Sequence, residues 1–267
     1  MLIWSKTGRA ISTAIAITLF SCLFLLPLVM ILMSSFSRQW NGILPSGFTF
    51  EHFVNAFQGP AWEAILSSLI IGFCASLFAL FCGLWAALAL RRHSARVQKY
   101  LGIAFYLPSA IPSVSIGLGI LVAFSQGYLQ MNGTFWIVFS AHFVLISAFT
   151  FSNVSTGLTR ISADIENVAF SLGASPWYRL CHVTLPLLMP WMISAVALSL
   201  SLSLGELGAT MMLYPPGWAT LPVSIFSLTD RGNIADGSAL TIVLVAITLL
   251  LMMKLEKVAK RLGQSGY

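Results

Sequence analysis

The stretch SLSLSLGELGATMML sets polar side chains into an apolar run, with Ser199, Ser203, Glu206 and Thr210 recurring at i, i+4, i+7 and i+11. At 3.6 residues per turn this spacing puts the four on one face of a helix. One carboxylate and three hydroxyls in a row offer a passing solute a polar track. They do not make a reaction centre, because no intramembrane cluster of His, Asp or Ser pairs a nucleophile with its base. An ionisable residue inside an apolar span costs about 2.5–3.5 kcal/mol on insertion scales, so it faces a bundle interior or a wet cavity. Glu206 therefore either lines a translocation pathway or hydrogen-bonds neighbouring helices and holds the bundle together. Ser201, Gly205 and Gly208 form an adjacent face of small residues suited to close helix packing. In YLPSAIPSVSIGLGIL, Ser109 and Ser113 stand at i, i+4 and join the candidate pathway. Pro108 and Pro112 remove helix hydrogen bonds there and predict a kinked or broken helix beside it. His142 reads as a hydrogen-bonded packing group in preference to a proton relay.

Composition defines the elements that must carry these residues. Of 267 residues, 58% are hydrophobic and 8% charged, against about 25% charged in a soluble domain. Such a chain cannot cover itself with polar surface in water, and it reads as an integral membrane protein. Backbone polar groups in lipid must be satisfied internally, and the apolar runs are long and do not alternate, which selects helices over a barrel. An all-α protein with six spans is predicted, at about 10–36, 63–90, 100–124, 135–157, 187–213 and 236–253, forming one transmembrane domain over 1–267. The first apolar run is too long for a signal-peptide core and reads as a retained span.

Six crossings place Lys6, Arg9, Arg91, Arg92, Arg96, Lys99, Arg160, Arg179, Lys254, Lys257, Lys260 and Arg261 on one side, and only Arg38 and Arg231 on the other. The positive-inside rule then puts both termini in the cytoplasm. This asymmetry accounts for the net charge of +6 without a nucleic acid. Cys22, Cys74, Cys82 and Cys181 show no metal or redox spacing and read as small buried hydrophobes. On the outer side, Phe50, Phe53, Val54 and Phe57 predict an amphipathic interfacial helix, and 214–235 a second short one.

The segment between spans four and five, 158–186, turns polar. Ser162 is placed to cap a short helix with Asp164 and Glu166 in its first turns. Ile165, Val168, Ala169 and Leu172 give that helix one apolar face, directed at the membrane surface, and Gly173 ends it. Ser175 and Pro176 start a second helix, and Leu185-Pro186 closes the unit before span five. Phe170 points away from the apolar face, as an aromatic anchor for a partner would.

This segment resembles the cytoplasmic EAA loop of bacterial ABC importer permeases, written EAA-x3-G-x9-I-x-L-P. Asn167-Val168-Ala169 stands at the E-A-A position, followed at the family's spacing by Gly173, Val183 and Leu185-Pro186. Asn167 replaces the usual Glu and Val168 the middle Ala; Glu166, one place earlier, is the candidate substitute acid. LGELGATMMLYPPGWATLPVSIFSL is similar to the fifth span and following loop of permeases for sulfate or molybdate, ferric iron, thiamine and, most closely, 2-aminoethylphosphonate.

The resemblance implies the six-helix type I importer permease architecture in a bacterial inner membrane, with this chain as half of a two-permease pore. It implies a coupling helix whose Glu166, Asn167, Ala169, Phe170, Gly173, Ala174, Leu185 and Pro186 meet a cytoplasmic ABC ATPase dimer. A second permease, identical or homologous, and a periplasmic or lipoprotein substrate-binding protein complete the implied set of partners. The chain has no G-x-x-x-x-G-K-[ST] loop, so it binds no nucleotide by that route, and ATP and Mg belong to the partner ATPase. No Lys or Arg lies in the predicted membrane core to meet an anion, which leaves most selectivity to the binding protein. A secondary transporter or channel independent of an ATPase, and a membrane scaffold, are the competing readings.

Overall fold

The computed structural model describes residues 5–40, 45–126 and 128–264. Positions 41–44, inside the predicted outer segment, lie outside the described residues. Spatially the chain groups into two compact units, Met1–Ala61 with Ile225–Val243, and Trp62–Ser224 with Leu244–Tyr267.

The first unit opens with one long apolar helical segment: α1 (Lys6–Phe20), a π-helical turn Ser21–Leu25, and α2 (Leu26–Ser35). Ser5 caps it by accepting from the Gly8 N–H. The wide turn precedes Pro27. Proline has no N–H and crowds the carbonyl four residues back; the Leu26 N–H reaches five residues back to the Ser21 carbonyl instead, which makes room. No α1 residue is buried, and the exposed Ile15, Ile17, Leu19 and Phe20 go round the helix, a surface suited to lipid. A hairpin follows, with β1 (Ser37–Gln39) antiparallel to β2 (Ser46–Phe48) and Ser37 opposite Phe48.

The rings of Phe36, Phe48, Phe50 and Phe53 cluster over this hairpin. Their clustering shortens the predicted interfacial helix to α3 (Glu51–Ala56), because Phe50 turns into the aromatic cluster and Phe57 lies past the last turn. His52 on α3 is hydrogen-bonded to Asp236 at 2.6 Å and to the Ser37 carbonyl at 3.1 Å, which fixes the α3 face within this unit.

In the second unit the organising element is α4 (Gly59–Leu90), whose buried face is almost entirely small: Ala64, Ser68, Gly72, Ala75, Ala79, Gly83 and Ala87. Small residues three or four apart let neighbouring helices approach to backbone contact. A Cβ added at Gly83 would lie 3.1 Å from the Phe151 backbone nitrogen. Next come α5 (Ala95–Ala110) and α6 (Ser113–Phe124), bent by 99° across Ile111-Pro112. The break predicted from the two prolines is present. The helices that follow are α7 (Phe135–Arg160), α8 (Ala163–Ser171), α9 (Pro176–Arg179), α10 (Leu185–Leu204) and α11 (Gly208–Leu213), while α12 (Leu221–Asp230) and α13 (Ile234–Gln264) each contribute to both units. One core cluster joins α4, α7 and α10 through Ala87, Phe151, Val154, Leu158, Leu188 and Ala195. A second joins α4, α7 and α11 through Ile71, Val138, Ala141, Ala209 and Leu213.

Among the described residues five segments are long and apolar enough to cross a membrane: Lys6–Ser35, Gly59–Leu90, Phe135–Arg160, Pro176–Leu204 and Ile234–Leu262. Counting the bent pair α5 and α6 as one span makes six. The protein is an all-α, multi-pass membrane protein.

Candidate coupling loop and translocation cavity

The polar loop folds by local rules. The Ser162 hydroxyl accepts from the Asp164 N–H at 3.2 Å and starts α8, with Asp164 and Glu166 in the first turn. At the other end Gly173 takes φ +87°, a left-handed conformation that side chains disfavour. Its N–H donates to the Phe170 carbonyl at 2.9 Å, and the Ala174 N–H to the Ala169 carbonyl at 3.0 Å, closing the helix with paired backward bonds. Ser175 then accepts from the Tyr178 N–H at 3.2 Å, with Pro176 at the first position of α9. The helix–Gly–helix unit predicted from sequence is present.

Its predicted end is not. The chain does not stop at Leu185-Pro186; α9 runs through a π-helical turn, Leu180–Thr184, directly into α10. The Leu185 N–H reaches back five residues to the Leu180 carbonyl, the same accommodation of a following proline as at Pro27. Leu185 is half-buried and Pro186 exposed, both within a continuous helical segment.

Glu166 turns toward its own chain. Arg91 Nη1, just past the end of α4, donates to Glu166 Oε1 at 2.7 Å, and Thr184 Oγ1 donates to the same oxygen at 2.9 Å. Partial burial pushes the carboxyl up, but the bonds from Arg91 and Thr184 and the charges of Arg91 and Arg179 outweigh it and hold it below its usual range. Asn167, Phe170 and Gly173 are exposed, and Ala169 and Ala174 half-buried. The Arg179 guanidinium sits 5.2 Å from the Phe170 ring centroid. No residue of α8 is buried, and Leu172, on the predicted apolar face, is 83% exposed, so within this chain that face is uncovered.

A cavity of about 200 Å³ lies at the α5–α6 break. Pro108, Ser109, Ser113, His142, Ser203 and Glu206 line it. The structure thus brings together four of the six sequence-selected pathway residues. The other two sit elsewhere: Ser199 is fully buried with its hydroxyl 3.5 Å from Thr150 Oγ1, and Thr210 is fully buried 2.9 Å from His142 Nε2. The single polar face fails because the fifth span is not continuous to 213; α10 ends at Leu204 and α11 begins at Gly208. Glu206 lies in this gap. Its Oε1 accepts the Ala209 N–H at 2.8 Å, a donor that the Gly205 carbonyl would take in an unbroken helix.

Close packing holds the broken ends in place. A Cβ at Gly117 would come within 2.8 Å of the Ala209 backbone, and one at Gly208 within 2.5 Å of Ser113 Oγ. His142, 1% exposed, is hydrogen-bonded to Ser203 Oγ at 2.7 Å as well as to Thr210, and so ties α7 to both α10 and α11. A neutral imidazole satisfies both, one nitrogen donating and the other accepting. The reading of His142 as a hydrogen-bonded packing residue agrees with this geometry, while its place on the cavity wall was not anticipated. Arg91 and Thr184 were not singled out either; the only hint was the displaced acid at Glu166. Among the described residues no group of three His, Cys, Asp or Glu side chains is placed to hold a metal ion.

The chain matches, over residues 79–263, the family described as binding-protein-dependent transport system inner membrane component, and it belongs to that family. It is a permease subunit of an ATP-binding-cassette importer, a transport protein of the inner membrane rather than an enzyme. A relative in Salmonella typhimurium, provisionally named 2-aminoethylphosphonate transport system permease protein PhnV, is 79% identical over 99% of this chain and 100% of its own length. The spermidine/putrescine transport system permease protein PotC of Escherichia coli is 24% identical over 97% of this chain and 98% of its own. Among solved structures, a bacterial alginate ABC transporter in complex with an alginate-bound periplasmic protein has a chain that superposes with a TM-score of 0.76. That match is 19% identical and covers 96% of this chain and 95% of the other. The MetNI methionine ABC transporter, in an inward-facing conformation, superposes with a TM-score of 0.64 at 15% identity, covering 75% and 95%. These two likenesses concern the fold.

Proposed function

We propose that this chain is one of two permease subunits of an importer for 2-aminoethylphosphonate or a similar small oxyanion bearing an amine. The observation that carries this reading is the 79% identity, over nearly the whole chain, to permeases named for that substrate. The cavity at the α5–α6 break is in keeping with it. Among the described residues Glu206 is the only acid on its wall, and no Lys or Arg lines it, so its field favours the ammonium end of the zwitterion. The phosphonate end is then recognised chiefly by an external substrate-binding protein.

In this reading Ser109, Ser113, Ser203 and Glu206 face the solute, and both termini and α8 lie in the cytoplasm. Asn167, Ala169, Phe170, Gly173 and Ala174 present α8 to an ABC ATPase dimer, which holds the ATP and Mg. Glu166, Leu185 and Pro186 act from behind, setting the angle of α8 against α4 and α10. Closure of the ATPase dimer would move α8 and, through the Glu166–Arg91 bond, the end of α4.

Uptake of labelled 2-aminoethylphosphonate by cells lacking this chain, with and without its return on a plasmid, tests the reading. Uptake should disappear and return with the chain. Unchanged uptake in the deletion strain, or restored uptake of putrescine but not of the phosphonate, would overturn the substrate.

A further inference from the structure

A second, larger cavity of about 820 Å³ opens where α4 leaves its apolar stretch, against α9 and the turn that follows it. Its wall carries three guanidinium groups, Arg91, Arg92 and Arg179, together with Trp85, Trp177 and the apolar Leu88. Among the described residues the one acid on this wall, Glu166, is already engaged by Arg91 and Thr184. Two positive charges therefore remain uncompensated within the cavity, and among the described residues the buried Arg179 Nε has no hydrogen-bond partner. Arg91 and Arg92 lie in the turn just past the end of α4 and Arg179 ends α9, so an anion held here bridges the two elements.

The chemistry of the wall selects the anion. Guanidinium forks match the oxygens of a phosphate, and tryptophans with an apolar body and a polar edge settle at headgroup depth. Leu88 and the exposed indoles of Trp85 and Trp177 continue the wall in apolar surface, as acyl chains require and a free anion does not. Basic pockets between spans beside the membrane surface suit anionic lipid headgroups. We propose that this cavity is a binding site for the phosphate headgroup of an anionic phospholipid, which clasps the loop carrying α8 and α9 to the end of α4. The site needs neither the substrate nor the membrane orientation proposed above.

The test uses the full chain, purified with the subunits that accompany it, in nanodiscs of phosphatidylcholine alone or with phosphatidylglycerol added. Retention of phosphatidylglycerol over phosphatidylcholine is read by mass spectrometry of the bound lipid. The wild type should retain phosphatidylglycerol preferentially, and Arg92→Gln/Arg179→Gln should lower that preference roughly tenfold. The Lys substitutions at both positions, which keep the charge, should preserve most of it.

Should the Gln variant not fold, brominated lipids provide an independent reading. Brominated phosphatidylglycerol should quench the emission lost in Trp177→Phe more than brominated phosphatidylcholine does. Equal retention of both lipids by the assembled wild type, a preference untouched by the double substitution, equal quenching by the two brominated lipids, or displacement of the lipid by inorganic phosphate would each overturn the proposal. Failure of 2-aminoethylphosphonate uptake bears on none of these readouts.

Discussion

Arg91 and Glu166 stand 75 positions apart in sequence and 2.7 Å apart in space, with Thr184 completing the second bond to the same carboxylate oxygen. Side-chain exposures of 31% and 21% make the pair partly screened, so its coupling is expected to be about 1 kcal/mol rather than the larger figure of a dry pair. Arg91→Gln and Glu166→Gln, alone and together, should show non-additive losses of thermal stability of that order. Strictly additive losses would mean the pair does not hold the loop. The pH dependence has a definite sign. Because the Glu166 carboxyl is held below its ordinary value of 4.5, its contribution is present above that value and is lost as pH falls through the lowered one. Glu166→Gln should remove that part of the acid sensitivity.

At the far end of α8 the expectation concerns backbone conformation. Gly173 at φ +87° meets no atom within 4 Å that a Cβ would strike, so Gly173→Ala tests conformation rather than space. It should destabilise the paired closure by about 1 kcal/mol. Phe170→Ala, which removes an exposed ring, should leave insertion unchanged and cost no more than about 1 kcal/mol through the lost Arg179 contact, while weakening co-purification with the ATPase roughly tenfold. Equal recovery of the ATPase with wild type and both variants would remove α8 from the docking surface.

The helix–Gly–helix unit was legible because capping and left-handed closure are local: Ser162, Gly173, Ser175 and Pro176 each act within four residues of their partners. The α5–α6 break was legible for the same reason, through Pro108 and Pro112. What escaped depends on contacts distant in sequence or on competition between two local states. Leu185-Pro186 reads as a stop, yet a π-helical turn lets the helix pass. Glu206 reads as one more residue on a helical face, yet its carboxylate captures the Ala209 N–H and ends that face. For the Glu166–Arg91 pair the sequence offers only the displaced acid at Glu166, and nothing around it points to Arg91, 75 positions away.

Glu206 carries two separable properties, a charge facing the cavity and an acceptor for the Ala209 N–H. Glu206→Gln keeps an amide oxygen that can accept while removing the charge; Glu206→Ala removes both. If the charge attracts the substrate's ammonium, both variants should lose most uptake, and only the Ala variant should also lose about 1 kcal/mol of stability. Wild-type uptake by the Gln variant would reduce Glu206 to a capping group. Membrane abundance, measured alongside, separates transport defects from insertion defects.

The junction between α6 and α11 depends on the absence of side chains at Gly117 and Gly208, and at Gly117 the opposing atoms are backbone. A Cβ at Gly117 would lie 2.8 Å from both Cα and O of Ala209, and these are backbone atoms that cannot rotate away. Two positions on, Gly119 has nothing within 4 Å, so it provides a matched control on the same helix. Gly117→Val should force α6 from α11, destabilise the protein by about 1–3 kcal/mol and disturb the adjacent cavity, while Gly119→Val should be near neutral. The readout is the thermal midpoint together with uptake at matched membrane abundance. Equal tolerance of the two substitutions would show that α6 and α11 do not pack at backbone distance in the working transporter, and that the cavity at the α5–α6 break is wider than the structure draws it.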